Sequence, residues 1–144
     1  MPWVVAINIS KMKGVPKAPI TSAEFITEFG LKGDAHGGSW HRQVSLLAQE
    51  SIDRMASLGV PGLTPGRFAE NITTQNLALH QLKIGTKLTI GDVVLEVTQI
   101  GKECHRHCAI YHQVGKCAMP TEGIFARVLQ GGTITPGMTI RVLE

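Results

Sequence analysis

The chain has 144 residues, 43% hydrophobic and 17% charged side chains, and a formal net charge of +3 at pH 7. That size fits one domain, and normal apolar content with so small a net charge excludes intrinsic disorder. Sixteen glycines and seven prolines exclude a long coiled coil, and no run reaches the ~18 consecutive apolar residues of a transmembrane helix.

Trp3 to Ile9 is β-branched and bounded by Ser10 and Lys11, which predicts a strand. Ser10 to Pro19 reads as a loop, since Pro16 and Pro19 deny regular pairing. Ser22 to Phe29 fits a strand or a short helix, and the Gly-rich run Leu31 to His41 fits a loop. Gln43 to Leu47 suits a buried strand. Ala48 to Leu58 is the best helix, with Ile52, Met55, Ala56 and Leu58 at helical spacing and Gly59 at its C-terminal cap. Pro61-Gly62 and Pro65-Gly66 enforce a turn-rich loop, after which Phe68 to Thr74 reads as an edge or irregular strand. Leu88 to Ile90 and Val93 to Ile100 flank Gly91-Asp92 and predict a tight hairpin. Thr121 to Leu129 carries Ile124, Phe125, Val128 and Leu129 at helical spacing, closed by Gly131-Gly132, and predicts a second helix. Met138 to Leu143 alternates as a last strand. Many short strands with two short helices predict a mainly β fold, a barrel or folded sheet decorated by helices, in one domain over residues 1–144.

Met1-Pro2-Trp3 lacks the basic start of a signal peptide, so a soluble, cytoplasmic protein is expected. Lys and Arg are scattered and no nucleic-acid-binding module is visible, so neither nucleic acid nor membrane is an expected partner.

Cys104, Cys108 and Cys117 fall within fourteen residues, interleaved with His105, His107 and His112. An odd, clustered set without a secretion signal argues against a disulfide scaffold. Lys102 and Arg106 favour thiolate, which is both nucleophile and soft-metal ligand. Three readings remain open at this point: a reactive or ligating cysteine, a structural zinc site, and inert thiols or a vicinal disulfide. The Cys-x3-Cys-x8-Cys spacing fits zinc knuckles poorly. Elsewhere, Gly33-Asp34-Ala35-His36-Gly37-Gly38 reads as an ordinary turn or as a nest of backbone N–H groups around an anion. Arg42 is suited to a phosphate. Asn71 either contacts a ligand or ties down the Pro-Gly loop before it, and Arg127 reads as a solvated helix face.

Four segments, Lys32 to Gly38, Phe68 to Thr74, Ile100 to Cys108 and Met119-Pro120 through Gly131-Gly132, resemble in order and spacing the MOSC family, named for the C-terminal domain of molybdenum cofactor sulfurases. The likeness is to its short stand-alone bacterial members. The resemblance implies a β-barrel-like fold and a pocket for a molybdenum–pterin cofactor of the molybdopterin type, holding molybdenum or tungsten. It also implies that Cys104, just after a central strand, ligates the metal or carries sulfur independently of pyridoxal phosphate. His36, Gly37, Gly38, Asn71, Lys102 and Arg106 are the implied cofactor contacts. Cys108, His107 and Cys117 are further metal candidates. Implied partners are cofactor biosynthesis proteins, a molybdoenzyme, a cysteine desulfurase, or a second copy of the chain completing the pocket. Three other functions stand beside cofactor binding and sulfuration: delivery of cofactor or metal without catalysis, a Cys/His structural metal protein binding zinc, and a small reductase.

Overall fold

The computed structural model describes residues 1–13, 15–59, 61–101 and 122–143. Among these the strands are β1 (Trp3–Ile9), β2 (Ala18–Ile20), β3 (Ala23–Ile26), β4 (Gly30–Leu31), β5 (Val44–Ala48), β6 (Ile72–Gln75), β7 (Lys87–Ile90), β8 (Val93–Ile100), β9 (Ile124–Gln130), β10 (Gly132–Ile134) and β11 (Ile140–Leu143). Helix α1 spans Gln49–Ala56 between β5 and β6, and a single 3-10 turn covers Leu79–Gln81. An eight-stranded sheet runs β11-β7-β8-β9-β5-β6-β1-β2, and a smaller one runs β10-β3-β4. The class is mainly β with short helices. No described helix is long and apolar enough to cross a membrane.

The large sheet is not a closed barrel, because its edge strands β2 and β11 do not pair. It is nevertheless strongly curled. A single bridge joins Trp3 to Thr139, and Val4 N donates to Met138 O (2.9 Å), Gly137 N to Val4 O (2.7 Å) and Ile140 N to Pro2 O (3.0 Å). These bonds tie β1 to the entry of β11 across the gap. The curl wraps the inward side chains, among them Ile7, Leu46, Ile72, Leu88, Leu95 and Ile124, into one fully buried cluster. The β7–β8 hairpin turns at Gly91-Asp92 with Ile90 opposite Val93, and Gly91 takes the positive φ of 59° that such a tight turn demands.

α1 covers part of the outer face. Ile52 and Met55 pack with Leu47, Phe68 and Phe125 in a second cluster, joined by Leu63. β5 is therefore buried on both faces, with Val44, Leu46 and Ala48 inward and Leu47 outward.

Three expectations are corrected. The predicted helix Thr121–Leu129 is, from Ile124, the central strand β9, with β8 on one side and β5 on the other. Ile124, Ala126 and Val128 point inward and Phe125 points into the second cluster. Where both faces of a strand are covered, apolar residues stop alternating and imitate a helical spacing. Arg127 accordingly lies on this strand and not on a helix face, its Nε 2.8 Å from Glu96 Oε1. That hydrogen bond and the nearby carboxylates raise its pKa above the ordinary value. The predicted strand Phe68–Thr74 begins only at Ile72, and β6 is interior, lying between β5 and β1. The predicted loop Ser10–Pro19 ends in β2, an edge strand, where Pro19 is tolerated.

The strand assignment has a direct test. Ile124→Ala is expected to cost about 2–5 kcal/mol in denaturant unfolding, and Leu129→Ala less than about 1 kcal/mol. A helix would bury the two on one face and give comparable losses.

Candidate functional site

The segment between α1 and β6 is closed by its own acid. Glu70 is fully buried. Its carboxylate accepts from Gly66 N (2.9 Å), Phe68 N (3.2 Å) and Thr73 Oγ1 (2.7 Å). Burial pushes its pKa above the ordinary carboxylate value, and these donors offset only part of that. Gly66 has a φ of +90°, and a Cβ there would run into the Lys17 carbonyl oxygen, so this turn packs directly against the Ser10–Pro19 segment.

Asn71, also fully buried, locks the turn to two strands. Its Oδ1 accepts from Ser45 N (3.0 Å) and Ser45 Oγ (3.2 Å), and its Nδ2 donates to Asn8 O (3.1 Å). Asn8 in turn donates through Nδ2 to Glu70 O and Thr73 Oγ1, both at 3.1 Å. The Phe68-Ala69-Glu70-Asn71 motif thus ties the Pro-Gly loop to β1 and β5.

Beyond β1, a buried ion pair organises the neighbouring loops. Lys17 Nζ lies 2.7 Å from Asp34 Oδ1, with neither side chain exposed. Asp34 also accepts from Ser10 N (3.0 Å) and His36 N (3.1 Å). Burial alone would raise the Asp34 pKa. The Lys17 hydrogen bond, the Ser10 N–H, the Lys17 charge and the His36 N–H together outweigh it and hold the carboxyl below its ordinary value. The Gly33–Gly38 segment is therefore an ionic staple between two loops. Its N–H groups do not form an open nest: His36 N, Gly37 N and Gly38 N donate to Asp34 Oδ2, Asp34 O and Phe29 O. A Cβ on Gly37 would press on the edge of the partly exposed Phe29 ring, which would have to turn aside.

The staple ends in an aromatic and cationic stretch. Trp40 stacks on His36 with ring centroids 6.5 Å apart at 4°, and Lys13 Nζ sits 5.2 Å over the Trp40 ring. Trp40 Nε1 donates to His36 O at 2.8 Å. Arg42 lies over the Phe125 ring at 5.1 Å, and its Nε donates to Gln99 Oε1 at 3.0 Å. His41 Nε2 is 2.9 Å from the same oxygen. Gln99 Nε2 donates to Gly101 O at 2.7 Å. The pairing of β8 with β9 shifts register between Val97 and Gln99. That bulge brings Thr98 and Gln99 together against the loop, Thr98 Oγ1 donating to His41 O. A continuous shelf therefore runs from His36 through Arg42 and Gln99 to the end of β8.

Of the sequence-derived site residues, the structure brings His36, Gly37 and Gly38 onto this shelf and puts Asn71 in the buried network with Ser45 and Asn8. Cys104, Cys108, Cys117, His107, Lys102 and Arg106 lie outside the described residues. Among the described residues, no group of His, Cys, Asp and Glu could hold a metal ion. Lys17 and Gln99 were missed by the sequence reading. Nothing in the sequence marks Lys17 as buried, whereas the adjacent polar pair Thr98-Gln99, interrupting an alternating strand, is a legible sign of a bulge.

An open curled sheet with a polar shelf at the end of a central strand defines a small, mainly β domain. The MOSC domain model matches residues 33–142; the chain belongs to the MOSC family. Solved structures agree on the fold. YuaD of Bacillus subtilis superposes with a TM-score of 0.82 at 19% identity, covering 99% of this chain and 96% of YuaD. YiiM of Geobacillus stearothermophilus gives 0.74 at 22%, covering 100% and 76%, and YiiM of Escherichia coli gives 0.71 at 17%, covering 100% and 70%. Comparison with curated proteins finds no match.

The ion pair predicts an asymmetry. Lys17→Met or Asp34→Leu alone should cost about 3–5 kcal/mol, because each leaves a buried partner uncompensated, while the double variant should recover much of the loss. The pH dependence follows from the lowered Asp34 pKa: its stabilisation is fully present above the ordinary value of 3.8 and is lost as pH falls through the lower folded value. Urea unfolding from pH 6 downward should show this acid limb in wild type and not in the double variant.

Proposed function

We propose that this MOSC-family protein binds a molybdenum or tungsten pterin cofactor, with Cys104 ligating the metal or carrying sulfur to it. The observation that supports the reading is the shelf. It joins the Gly-rich loop to Gly101, immediately before the cysteine segment, and both lie inside the span matched by the family model.

The described donor set fits the anionic part of such a cofactor. Arg42 offers its guanidinium, with Nε alone committed to Gln99 and no acceptor on its terminal nitrogens among the described residues. Lys13 and the His36 ring lie beside Trp40. Cations and planar N–H forks suit phosphate. In this reading Arg42 binds the phosphate, Lys102 and Arg106 add charge, and Cys108, His107 and Cys117 are secondary candidates for the metal. Asn71, Gly37 and Gly38 shape the support beneath. When bound, the cofactor supplies a soft metal able to exchange oxygen and sulfur ligands. Gln99 orients Arg42 and the Gly101 carbonyl from opposite ends of one amide. Exchange partners would be a molybdoenzyme, cofactor biosynthesis proteins or a cysteine desulfurase, in the cytoplasm.

Native mass spectrometry and titration with purified pterin cofactor test the reading. Wild type should retain the cofactor, and Cys104→Ser should bind at least about tenfold more weakly, as loss of one good ligand contact implies. Equal affinity removes Cys104 from the site. Arg42→Ala should weaken binding by about tenfold through loss of a charge-assisted hydrogen bond. Cofactor retention without sulfur transfer would favour delivery. Stoichiometric zinc in place of molybdenum, with unfolding on chelation, would replace the proposal with a structural metal site.

A further inference from the structure

The side-chain amide of Gln99 is oriented by two partners that each allow one answer. Arg42 Nε lies 3.0 Å from Oε1 and can only donate. The Gly101 carbonyl can only accept, and it takes Gln99 Nε2–H at 2.7 Å. The atom that faces His41 is therefore the amide oxygen, 2.9 Å from His41 Nε2. An amide oxygen carries no proton, so the proton of this bond sits on Nε2. A neutral imidazole has a single N–H, which leaves Nδ1 of the neutral ring bare. The residue is anchored on two further sides. Thr98 Oγ1 donates to the His41 carbonyl, and the Trp40 ring meets the imidazole edge-on at 5.9 Å and 68°. His41 is exposed, and Nδ1 has no partner among the described residues.

We propose that His41 is a specificity-determining residue of the shelf, its bare Nδ1 accepting the proton of a partly protonated oxyanion whose other oxygens lie on Arg42. Gln99 Oε1 holds both side chains, each within 3.0 Å, so a donor and an acceptor are tethered to one atom. A site made of donors alone ranks tetrahedral dianions by charge and size. One neutral acceptor in the site rejects an anion that has no proton to give, because two lone pairs then face each other. Hydrogen phosphate keeps one proton at pH 8, and sulfate, of the same shape and charge, keeps none. The ligand half of the proposal rests on the functional reading above; the tautomer half does not.

Nitrogen-15 NMR of the labelled full chain at pH 8, with the His41 signals assigned by their loss in His41→Phe, reads the tautomer directly. The expected result is a protonated Nε2 and a bare Nδ1. An Nδ1–H tautomer or a doubly protonated ring overturns the proposal, and wild type alone decides this even if Gln99→Leu fails to fold. Where Gln99→Leu folds, His41 should become a tautomer mixture, and an unchanged ring overturns the lock. Inorganic phosphate and sulfate, titrated at pH 8 and equal ionic strength, are the ligand probes. Wild type should bind phosphate about tenfold more tightly than sulfate, the scale of one hydrogen bond to a charged group. His41→Phe should bring the two within about twofold, and Arg42→Ala should weaken both together. A merely structural role would lower both affinities and leave their ratio alone. A phosphate preference that survives His41→Phe therefore overturns the acceptor role, as does a wild type that binds the two anions equally or holds neither. Cofactor uptake by a wild type that does not separate phosphate from sulfate would sink this inference and leave the cofactor reading standing. A phosphate preference lost in His41→Phe, without any cofactor uptake, would sink only the cofactor reading.

Discussion

The loops that build the site depend on one buried ion pair. Lys17 and Asp34 come from segments with few regular backbone bonds of their own, and neither side chain touches water. A charge so placed is stable only if it is paired and its remaining hydrogen-bonding capacity is filled. Here Asp34 takes two backbone N–H groups besides the ammonium, and Lys17 lies within hydrogen-bond distance of the Asp34 carboxylate, the Ser10 hydroxyl and the His36 ring. The cost of burying the charges becomes a constraint on geometry. Ser10 and His36 are both held to this pair, Ser10 through its N–H and hydroxyl and His36 through its backbone N–H.

The Glu70 network works by the same logic one layer deeper. Glu70 closes the turn from Gly66 to Thr73, Asn71 bridges it to Ser45 and Asn8, and Gly66 lets it pack against the Lys17 carbonyl. The two acids differ in electrostatic outcome. Asp34 has a full cation beside it and is held ionised, whereas Glu70 has only dipolar donors and is pushed towards its neutral form. The motif that looked like a binding sequence is, in the described structure, a buried network that ties the Pro-Gly loop to β1 and β5.

Local pattern carried the fold wherever one face of an element meets water. β1, α1 and the β7–β8 hairpin all followed from period, caps and turn residues, and the mainly β class followed from their number. The reading failed where tertiary burial erased the period. β9 is covered by the core on one side and by α1 on the other, so Ile124, Phe125, Val128 and Leu129 spelled a helix. The site was legible in part for a related reason. Glycines and the cysteine cluster are local signals, and they pointed to the loop after β4 and to the end of β8. Lys17 is a long-range signal: a lysine between two prolines looks solvated until an aspartate seventeen residues away is known to face it.

The position of the shelf follows from the helix that covers part of the outer face and from a bulge in β8. Among the described residues, the curled sheet fills its own interior with aliphatic side chains down to full burial. α1 occupies the outer face over β5 and the start of β9 through Leu47 and Phe125. On the strip of outer face bordering α1, Arg42 lies over the edge of that cluster on Phe125 and reaches the β8 bulge. A regular β8 would continue its alternation through Thr98 and Gln99 and separate the two side chains onto opposite faces. The bulge between Val97 and Gln99 brings both to the loop, and through Gln99 it connects that loop to the carbonyl of Gly101. An irregularity of one residue in the strongest strand therefore joins the ion-paired loops to the point where the cysteine segment begins.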